Sequence, residues 1–435
     1  MKNETKYTGK SLIDAGYKPG TWFGSVLEGL NNGEIRWEEV ANYVPVEPDL
    51  IPLQSPCETT YFLEPQNELE AENLASVEAT IEELAKTPTI RKVAIMPDAC
   101  PAGPKGTIPV GGVVKAENAV HPGMHSADIC CSLFMTQFET EKGNAAKKVL
   151  DATWANTHFG PGGRDDHSKL PLELEERIRA NPYTKEHLDR AKKHLATQGD
   201  GNHFAFVGTS DQNGLVTLIT HHGSRGFGAK VYQEGMKVAE RFRQQLSPET
   251  LKQNAWIPMN TEEGRLYWEA LQIVRAWTKL NHATIHRLVT VATEYRVART
   301  IWNEHNFVFE RKGFYYHGKG ATPMWNHAPK DEDVQVDRII PLNMAAPILL
   351  IRGGLKDAME FSPHGAGRNM SRTAHAKSGV ADFTRETAGL DIRSWSGKAD
   401  ESELPSAYKE ANAIEREIAK HKLGKLSERI LPYGS

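Results

Sequence analysis

Apolar positions recur along the chain at two periods. Leu74, Val77, Ile81 and Leu84 repeat at helical spacing and predict an amphipathic helix over about residues 69–86. Leu266, Ala270, Ile273, Trp277, Leu280, Leu288 and Val291 fall on or near one face and predict a longer helix over about 262–299. Short apolar runs of strand length lie between them, at 93–96, 132–138, 215–220 and 348–351, each bounded by Gly, Pro or polar residues. A C-terminal helix is expected near 406–421, and Pro- and Gly-rich loops over 98–112 and 312–329. No repeat, low-complexity tract or clear linker interrupts this pattern. It predicts one mixed α/β (α+β) body over 1–435, with peripheral helices.

Composition narrows the class. With 435 residues, 39% hydrophobic and 25% charged, the chain has material for a large core, and its formal net charge of −4 excludes a protein coated in basic surface. A nucleic acid partner must therefore meet a local basic patch, for which Lys105, Arg225, Arg352 and Arg372 are candidates. Residues 1–6 are polar, so no secretory signal is expected. The longest apolar-rich run, 339–351, is short and broken by Pro341, Asn343 and Pro347, so no membrane span is expected. Cysteines at 57, 100, 130 and 131 form no paired C-x-x-C knuckles and fit a reducing, cytoplasmic setting.

Candidate chemistry sits in scattered places. The run His364-Gly365-Ala366-Gly367-Arg368, followed by Asn369-Met370-Ser371-Arg372, sets a nucleophilic imidazole beside a glycine-rich backbone and two guanidinium groups. Those parts suit holding a phosphate while a nitrogen attacks it, although a Gly-rich turn at a helix start has the same appearance. Asp128 and Cys131 stand three residues apart, His203 follows Asn202, His221 ends an apolar run before Gly223, and His305 precedes Asn306. One by one these read more readily as a turn with buried thiols and as satisfied core histidines. His282 and His286 share a helix face but lack the Glu of H-E-x-x-H, which favours helix core or surface. Jointly, one carboxylate, one thiolate and three imidazoles suit a borderline divalent ion, zinc or manganese, and a thiolate can bridge two ions.

In these blocks the sequence resembles the RtcB-type RNA ligases, also called tRNA-splicing ligases. The resemblance rests on Met96-Pro97-Asp98 with Pro109-Val110-Gly111-Gly112, Asp128-x-x-Cys131, Gly201-Asn202-His203-Phe204 and His221-x-Gly223-Ser224-Arg225-Gly226. It continues through His305-Asn306, His364 to Arg368 with Met370-Ser371-Arg372, and Ala407-Tyr408-Lys409-Glu410. It runs from about Val93 to the C-terminus and leaves 1–90 less clearly matched.

The resemblance implies mixed β-sheets around a metal-containing cleft and a GTP-dependent ligase. His364 would take GMP from GTP in a manganese-dependent step and pass it to an RNA 3′-phosphate, made from a 2′,3′-cyclic phosphate. A 5′-hydroxyl end would then displace GMP. Asp128, Cys131, His203, His221 and His305 match the ligands of two Mn2+ ions, with Cys131 as the bridge and Zn2+ as an alternative ion. Asn202, Asn306 and Arg368, with Asn343, Gly365, Ala366, Gly367 and Tyr408, match the nucleotide-binding set. Asp98 matches an acid near the metals, and Arg225 is a possible accessory residue.

The departures fall mostly on base recognition. Phe206 stands where a Glu is usual, Asn343 and Ile348 where serines face the nucleotide, Tyr433 near the place of a Lys, and Cys100 in place of a common His. Nucleotide choice is therefore expected to be relaxed or altered. Two other readings remain, a metal-dependent phosphoesterase of RNA ends and a non-catalytic RNA-binding relative.

Overall fold

The computed structural model describes residues 6–44, 49–140, 143–164, 169–325, 336–397 and 400–435. The chain divides into two compact units, Met1–Leu50 and Ile51–Ser435. In the first, the helices Gly9–Asp14 and Trp22–Asn31 and the 3-10 turn Trp37–Tyr43 bury Leu12, Phe23, Val26, Leu30 and Val40 together.

The second unit is built on two sheets. One has five strands in the order Glu58–Tyr61, Ile90–Cys100, Val110–Glu117, Phe314–Lys319, Asn306–Arg311, of which only the first pair is parallel. The other is wholly antiparallel, with seven strands in the order Arg296–Glu304, Ser132–Glu139, Val216–His222, Phe204–Ser210, Lys425–Gly434, Ile348–Arg352, Arg338–Ile340. Strands and helices mixed in this way are what the apolar pattern predicts; of the two sheets only the five-stranded one mixes parallel and antiparallel pairs.

Side chains alternate across the seven-stranded sheet. Leu133, Met135, Phe206, Ile219, Ile348 and Leu350 form the core of one face. The opposite face carries Ser132, Thr136 and Thr220 against the helix Glu262–Thr293. That helix starts at Thr261, whose hydroxyl accepts the Gly264 N–H at 3.1 Å, with Glu262 and Glu263 in its first turn.

The expected continuation of this helix to 299 is overturned. Glu294 turns left-handed (φ 61°), and Arg296–Glu304 becomes a strand paired with Ser132–Glu139. Val297, Thr300, Ile301 and Trp302 are β-branched or aromatic and suit a pleated edge better than a helix. The C-terminal helix is likewise shorter than expected, Ala411–Lys420, because Tyr408 is extended and bridges to Arg368. Of the loop expected over 98–112, residues 98–100 and 110–112 belong to strands. The second expected loop contains the strands Phe314–Lys319 and Ala321–Pro323, and its residues 326–329 lie outside the described residues. A long helix that periodicity did not suggest, Arg225–Leu246, begins in the glycine-rich stretch after His221.

His282 and His286 are core residues. Their rings bond Ser132 (3.1 Å), Thr220 (2.7 and 2.9 Å) and Thr136 (2.8 Å) beneath the sheet. Burial pushes His286 down to about 3, and His121 and His125 down to about 4. In the unfolded chain each returns to its ordinary value near 6.5, so below that pH the unfolded state binds more protons. The stability these neutral rings contribute is complete above pH 6.5 and is lost as pH falls toward 4. Each costs up to about 1.4 kcal/mol per pH unit over that window. Melting curves at pH 7 and pH 4.5 are expected to show a large fall in Tm, and equal Tm values would refute the assignment. Among the described residues, no helix is long and apolar enough to cross a membrane.

Candidate active site

Strand alternation selects which histidine reaches the site. His221 lies on the same sheet face as Ile219, while the adjacent His222 turns to the helix side and stacks on His282 with ring centroids 3.4 Å apart. Cys131 and Asp128 come from a tight turn before Ser132, which Cys130 passes with φ 59°. The turn is anchored to the next ligand segment: the Cys130 N–H donates to the Asn306 carbonyl (2.7 Å) and the His305 N–H to the Cys131 carbonyl (3.0 Å). Gly223 is required here by close approach, since a Cβ would stand 1.8 Å from Asp128 Oδ1. Cys130 itself is buried in the apolar core, and all four cysteines are free thiols.

The five expected metal ligands converge. Cys131, His221 and His305 form one group and Asp128, Cys131 and His203 another, with the donor atoms in each within 4.8 Å of one another. Cys131 belongs to both. Its Sγ lies 3.2 Å from His221 Nε2 and 3.7 Å from His203 Nε2, and His203 Nε2 is 3.0 Å from Asp128 Oδ2.

The donor chemistry fits a pair of cations. His221 Nδ1 donates to the Asn202 carbonyl (2.8 Å), so its Nε2 carries a lone pair, and that lone pair faces His305 Nε2 at 3.1 Å. Burial lowers His221 to about 3 and His305 well below its ordinary value, which keeps both rings in the neutral, ligating form. Burial works to raise the Asp128 carboxyl, but His203 and hydrogen bonds from His203 and Cys131 outweigh it and bring the group to about 2.

His364 stands beside this set, its ring 4.8 Å from that of His305. One buried oxygen, Asp98 Oδ2, accepts both the His364 backbone N–H (3.2 Å) and Nδ1–H (2.6 Å). Asp98 gets there through a break in strand register. Ile95 pairs with Gly112 but Cys100 with Val110, so Met96, Pro97, Asp98 and Ala99 bulge out, and Pro97 has no N–H to pair. Gly367 closes over this bulge at φ 72°, where a Cβ would meet the Asp98 carbonyl at 2.1 Å. The structure therefore gives Asp98 a closer task than sequence suggests, holding the proposed nucleophile.

A cavity of about 1000 Å³ opens beside His364, with Asn202, Asn343, Gly365, Ala366, Gly367, Arg368 and Tyr408 in its wall. Its size suits a nucleotide-sized ligand. Phe206 and Ile348 also line it, and both belong to the apolar cluster on the sheet face that carries His221. Arg368 lies over the Tyr408 ring at 5.1 Å. Asn343 Oδ1 holds its own loop by accepting from Ala345 and Ala346 N–H (3.0 and 2.8 Å). Asn306 Oδ1 accepts the Gly320 N–H (2.8 Å), and Arg225 Nη2 donates to the Gly160 carbonyl (3.2 Å), so both brace loops around the site.

A family model described as tRNA-splicing ligase RtcB matches residues 172–435, more than half of the chain. The chain belongs to the RtcB family. It is 27% identical over 306 residues to a tRNA-splicing ligase RtcB of Archaeoglobus fulgidus, covering 60% of this chain and 62% of that protein, just under two thirds of its length. It is 26% identical over 424 residues to the tRNA-splicing ligase RtcB of Aeropyrum pernix (78% and 86% covered). Over 369 residues it is 26% identical to the RNA-splicing ligase RtcB of Escherichia coli K12 (76% and 86% covered). Identities this low fit a divergent RtcB member. The matched stretch holds His203, His221, His305 and His364, while Asp98, Asp128 and Cys131 precede it.

Two residues of this RtcB chain, Glu403 and Gln198, escape sequence reading, and a third, Lys409, stands there only inside a matched block with no role given. Glu403 accepts from Arg368 (3.3 Å), Arg372 (2.7 Å) and the Tyr408 hydroxyl, so one carboxylate gathers three donors in the cavity wall. Gln198 Nε2 ties the carbonyls of Phe204 and His221 together, fixing the ligand loop to the ligand strand. Lys409 is buried and donates to the Pro97 carbonyl (2.8 Å) behind Asp98. Each has at least one partner distant in sequence, Arg368 for Glu403, His221 for Gln198 and Pro97 for Lys409, and Glu403 carries no local signal beyond its place two residues before Pro405. The four cationic residues suggested as an RNA path already have partners: Lys105 with Glu83 (3.4 Å), Arg352 with Asp337 (2.9 Å), Arg372 with Glu403 and Arg225 with Gly160.

Proposed function

We propose that the protein is an RNA ligase that joins a 3′-phosphate or 2′,3′-cyclic phosphate end to a 5′-hydroxyl end through a nucleotide carried on His364. The observation that carries this reading is the pairing of His364 Nδ1 with buried Asp98 beside two donor groups that share Cys131. With Nδ1 holding its proton toward Asp98, Nε2 keeps the lone pair and is the attacking atom. It would form a P–N bond at the α-phosphorus of GTP while pyrophosphate leaves. The RNA 3′-phosphate oxygen then takes the GMP from His364, and the 5′-hydroxyl oxygen displaces GMP, giving up its proton and closing the strand. Mn2+ ions, or Zn2+, held by Asp128, Cys131, His203, His221 and His305, would offset phosphate charge throughout.

GTP is the cosubstrate that family membership suggests. Phe206 and Ile348, being apolar, offer no hydrogen bond to a base edge, which favours a ligase of altered or relaxed nucleotide choice. The protein's own RNA work is assigned to repair or tRNA processing in the cytoplasm. Incubation with manganese and each α-phosphate-labelled NTP in turn tests the reading. Covalent label from at least one NTP, followed by joining of 3′-phosphate and 5′-hydroxyl RNA, is expected. No label with any NTP would sink it, and opening of a cyclic phosphate without joining would favour the phosphoesterase.

A further inference from the structure

The proposed chemistry leaves a group of exposed aromatic side chains unused. Trp395 is 53% exposed, Trp154 39% and Phe383 36%. Trp395 and Phe383 line the cavity that holds His364 and Arg368. Phe383 also lines a neighbouring cavity of about 710 Å³ with Trp154, and Ile392, Arg393 and Ser394 are common to both. Ser394 and Gly397, flanking Trp395 in sequence, belong to that outer cavity. The indole thus stands where the outer cavity meets the one containing the nucleophile.

Trp395 is seated, not merely exposed. A Cβ on Gly160 would come within 2.7 Å of its Cδ2, 2.9 Å of Cε3 and 3.1 Å of Cε2. Cδ2 is a ring-fusion carbon surrounded by three ring atoms, so an atom closest to it stands over the ring face. Gly160 is pinned in turn: its φ is 84°, its N–H donates to the Gly199 carbonyl (2.7 Å), and its carbonyl accepts from Arg225. One indole face therefore rests on a fixed backbone while the residue stays half exposed.

The nearby charges are already engaged. Arg393 pairs with Asp391 (2.7 Å) and Asp151 (2.8 Å), and Arg372 with Glu403. A strand held at this edge is held by stacking rather than by new phosphate contacts.

We infer that Trp395 is a stacking platform for an unpaired base of the RNA strand whose 3′ end enters the cavity. This rests on the ligase reading above. Single-stranded RNA is the occupant that fits, because every base offers a π face and a cavity that continues to His364 admits a strand end.

The test uses a short oligouridylate with a 3′-phosphate and a terminal 5-bromouracil. Irradiation with the full-length protein is expected to crosslink Trp395, mapped by mass spectrometry. Trp395→Ala should weaken its Kd roughly tenfold, and Trp395→Phe should keep most of the affinity. The slope of log Kd against log salt should not change, since no phosphate contact is removed. An unchanged Kd in Trp395→Ala, or crosslinks that map elsewhere, would overturn the platform. So would loss of the Trp395 crosslink on adding GTP while the oligonucleotide stays bound, which would give the indole to the nucleotide. A dimer that dissociates on Trp395→Ala would give this face to a second copy and overturn it equally. Label on His364 is read separately: its failure with the crosslink intact removes the ligase reading alone.

Discussion

Covalent label from the nucleotide is expected to vanish on His364→Ala and to form about 10²- to 10³-fold more slowly on Asp98→Asn. The two substitutions test different atoms. His364→Ala removes the nitrogen that would bond phosphorus, while the other imidazoles that line the cavity, His203 and His221, belong to the candidate metal set. Asp98→Asn keeps the shape of the bulge but removes the charge 2.6 Å from Nδ1. As Nε2 bonds to phosphorus the ring gains positive charge, and a buried carboxylate stabilises it far better than an amide does. An amide can also present N–H to Nδ1, selecting the tautomer whose Nε2 has no free lone pair. Rapid-quench labelling measures the rate, and metal-free melting curves check that the fold around buried Lys409 survives. A wild-type rate in Asp98→Asn would make Asp98 a purely structural anchor of the 364 backbone.

How far the sequence foretold this arrangement depends on the range of each interaction. The candidate ligands are legible as local patterns: His221 ends an apolar run before glycine, His203 and His305 precede apolar runs, and Asp128 and Cys131 stand three residues apart. Their convergence was not legible from spacing, since it depends on strand register between segments such as Ser132–Glu139 and Val216–His222. The helix Glu262–Thr293 was readable from its stripe, but its end was not, because a single left-handed residue converts one regular pattern into another. For Asp98 the resemblance implies an acid near the metals, whereas its bond to His364 spans a bulge that only the paired strand reveals. Glu403 was invisible for the same reason: its partners Arg368 and Arg372 come from a segment more than thirty residues away.

Glu403 also bears on how the cavity receives a nucleotide. Arg368 and Arg372 share the single Glu403 carboxylate, which offsets one of their two charges before any phosphate arrives, so an incoming anion must share or displace a carboxylate already in place. Net affinity for phosphate is then smaller than two free guanidinium groups would give. The arrangement leaves more of the selection to the metal set and to the apolar wall of Phe206 and Ile348.

The metal set itself gives the second large effect: affinity is expected to rise about tenfold per pH unit above neutrality, and Cys131→Ala to abolish both the slope and most of the binding. Above pH 7 imidazoles are in the neutral ligand form, and Asp128, held to about 2, is already ionised. The Cys131 thiol differs. Burial, reinforced by the Asp128 charge, pushes it well above its ordinary value, so a cation must displace its proton to bind sulfur. Metal and proton therefore compete at one atom. Raising the pH weakens the proton's hold and tightens binding; lowering it does the reverse. Titration calorimetry in buffers of different ionisation enthalpy should report release of about one proton. Because Cys131 belongs to both donor groups, Cys131→Ala should weaken both ions by more than about 10²-fold. It should also erase the thermal stabilisation of about 2.7 kcal/mol that metal at a hundredfold excess over Kd confers. Cys130→Ala supplies the contrast, since that thiol packs in the apolar core and its loss should lower stability while leaving the pH slope intact. A slope that survives in Cys131→Ala, or equal losses in the two variants, would remove Cys131 from the bridging position.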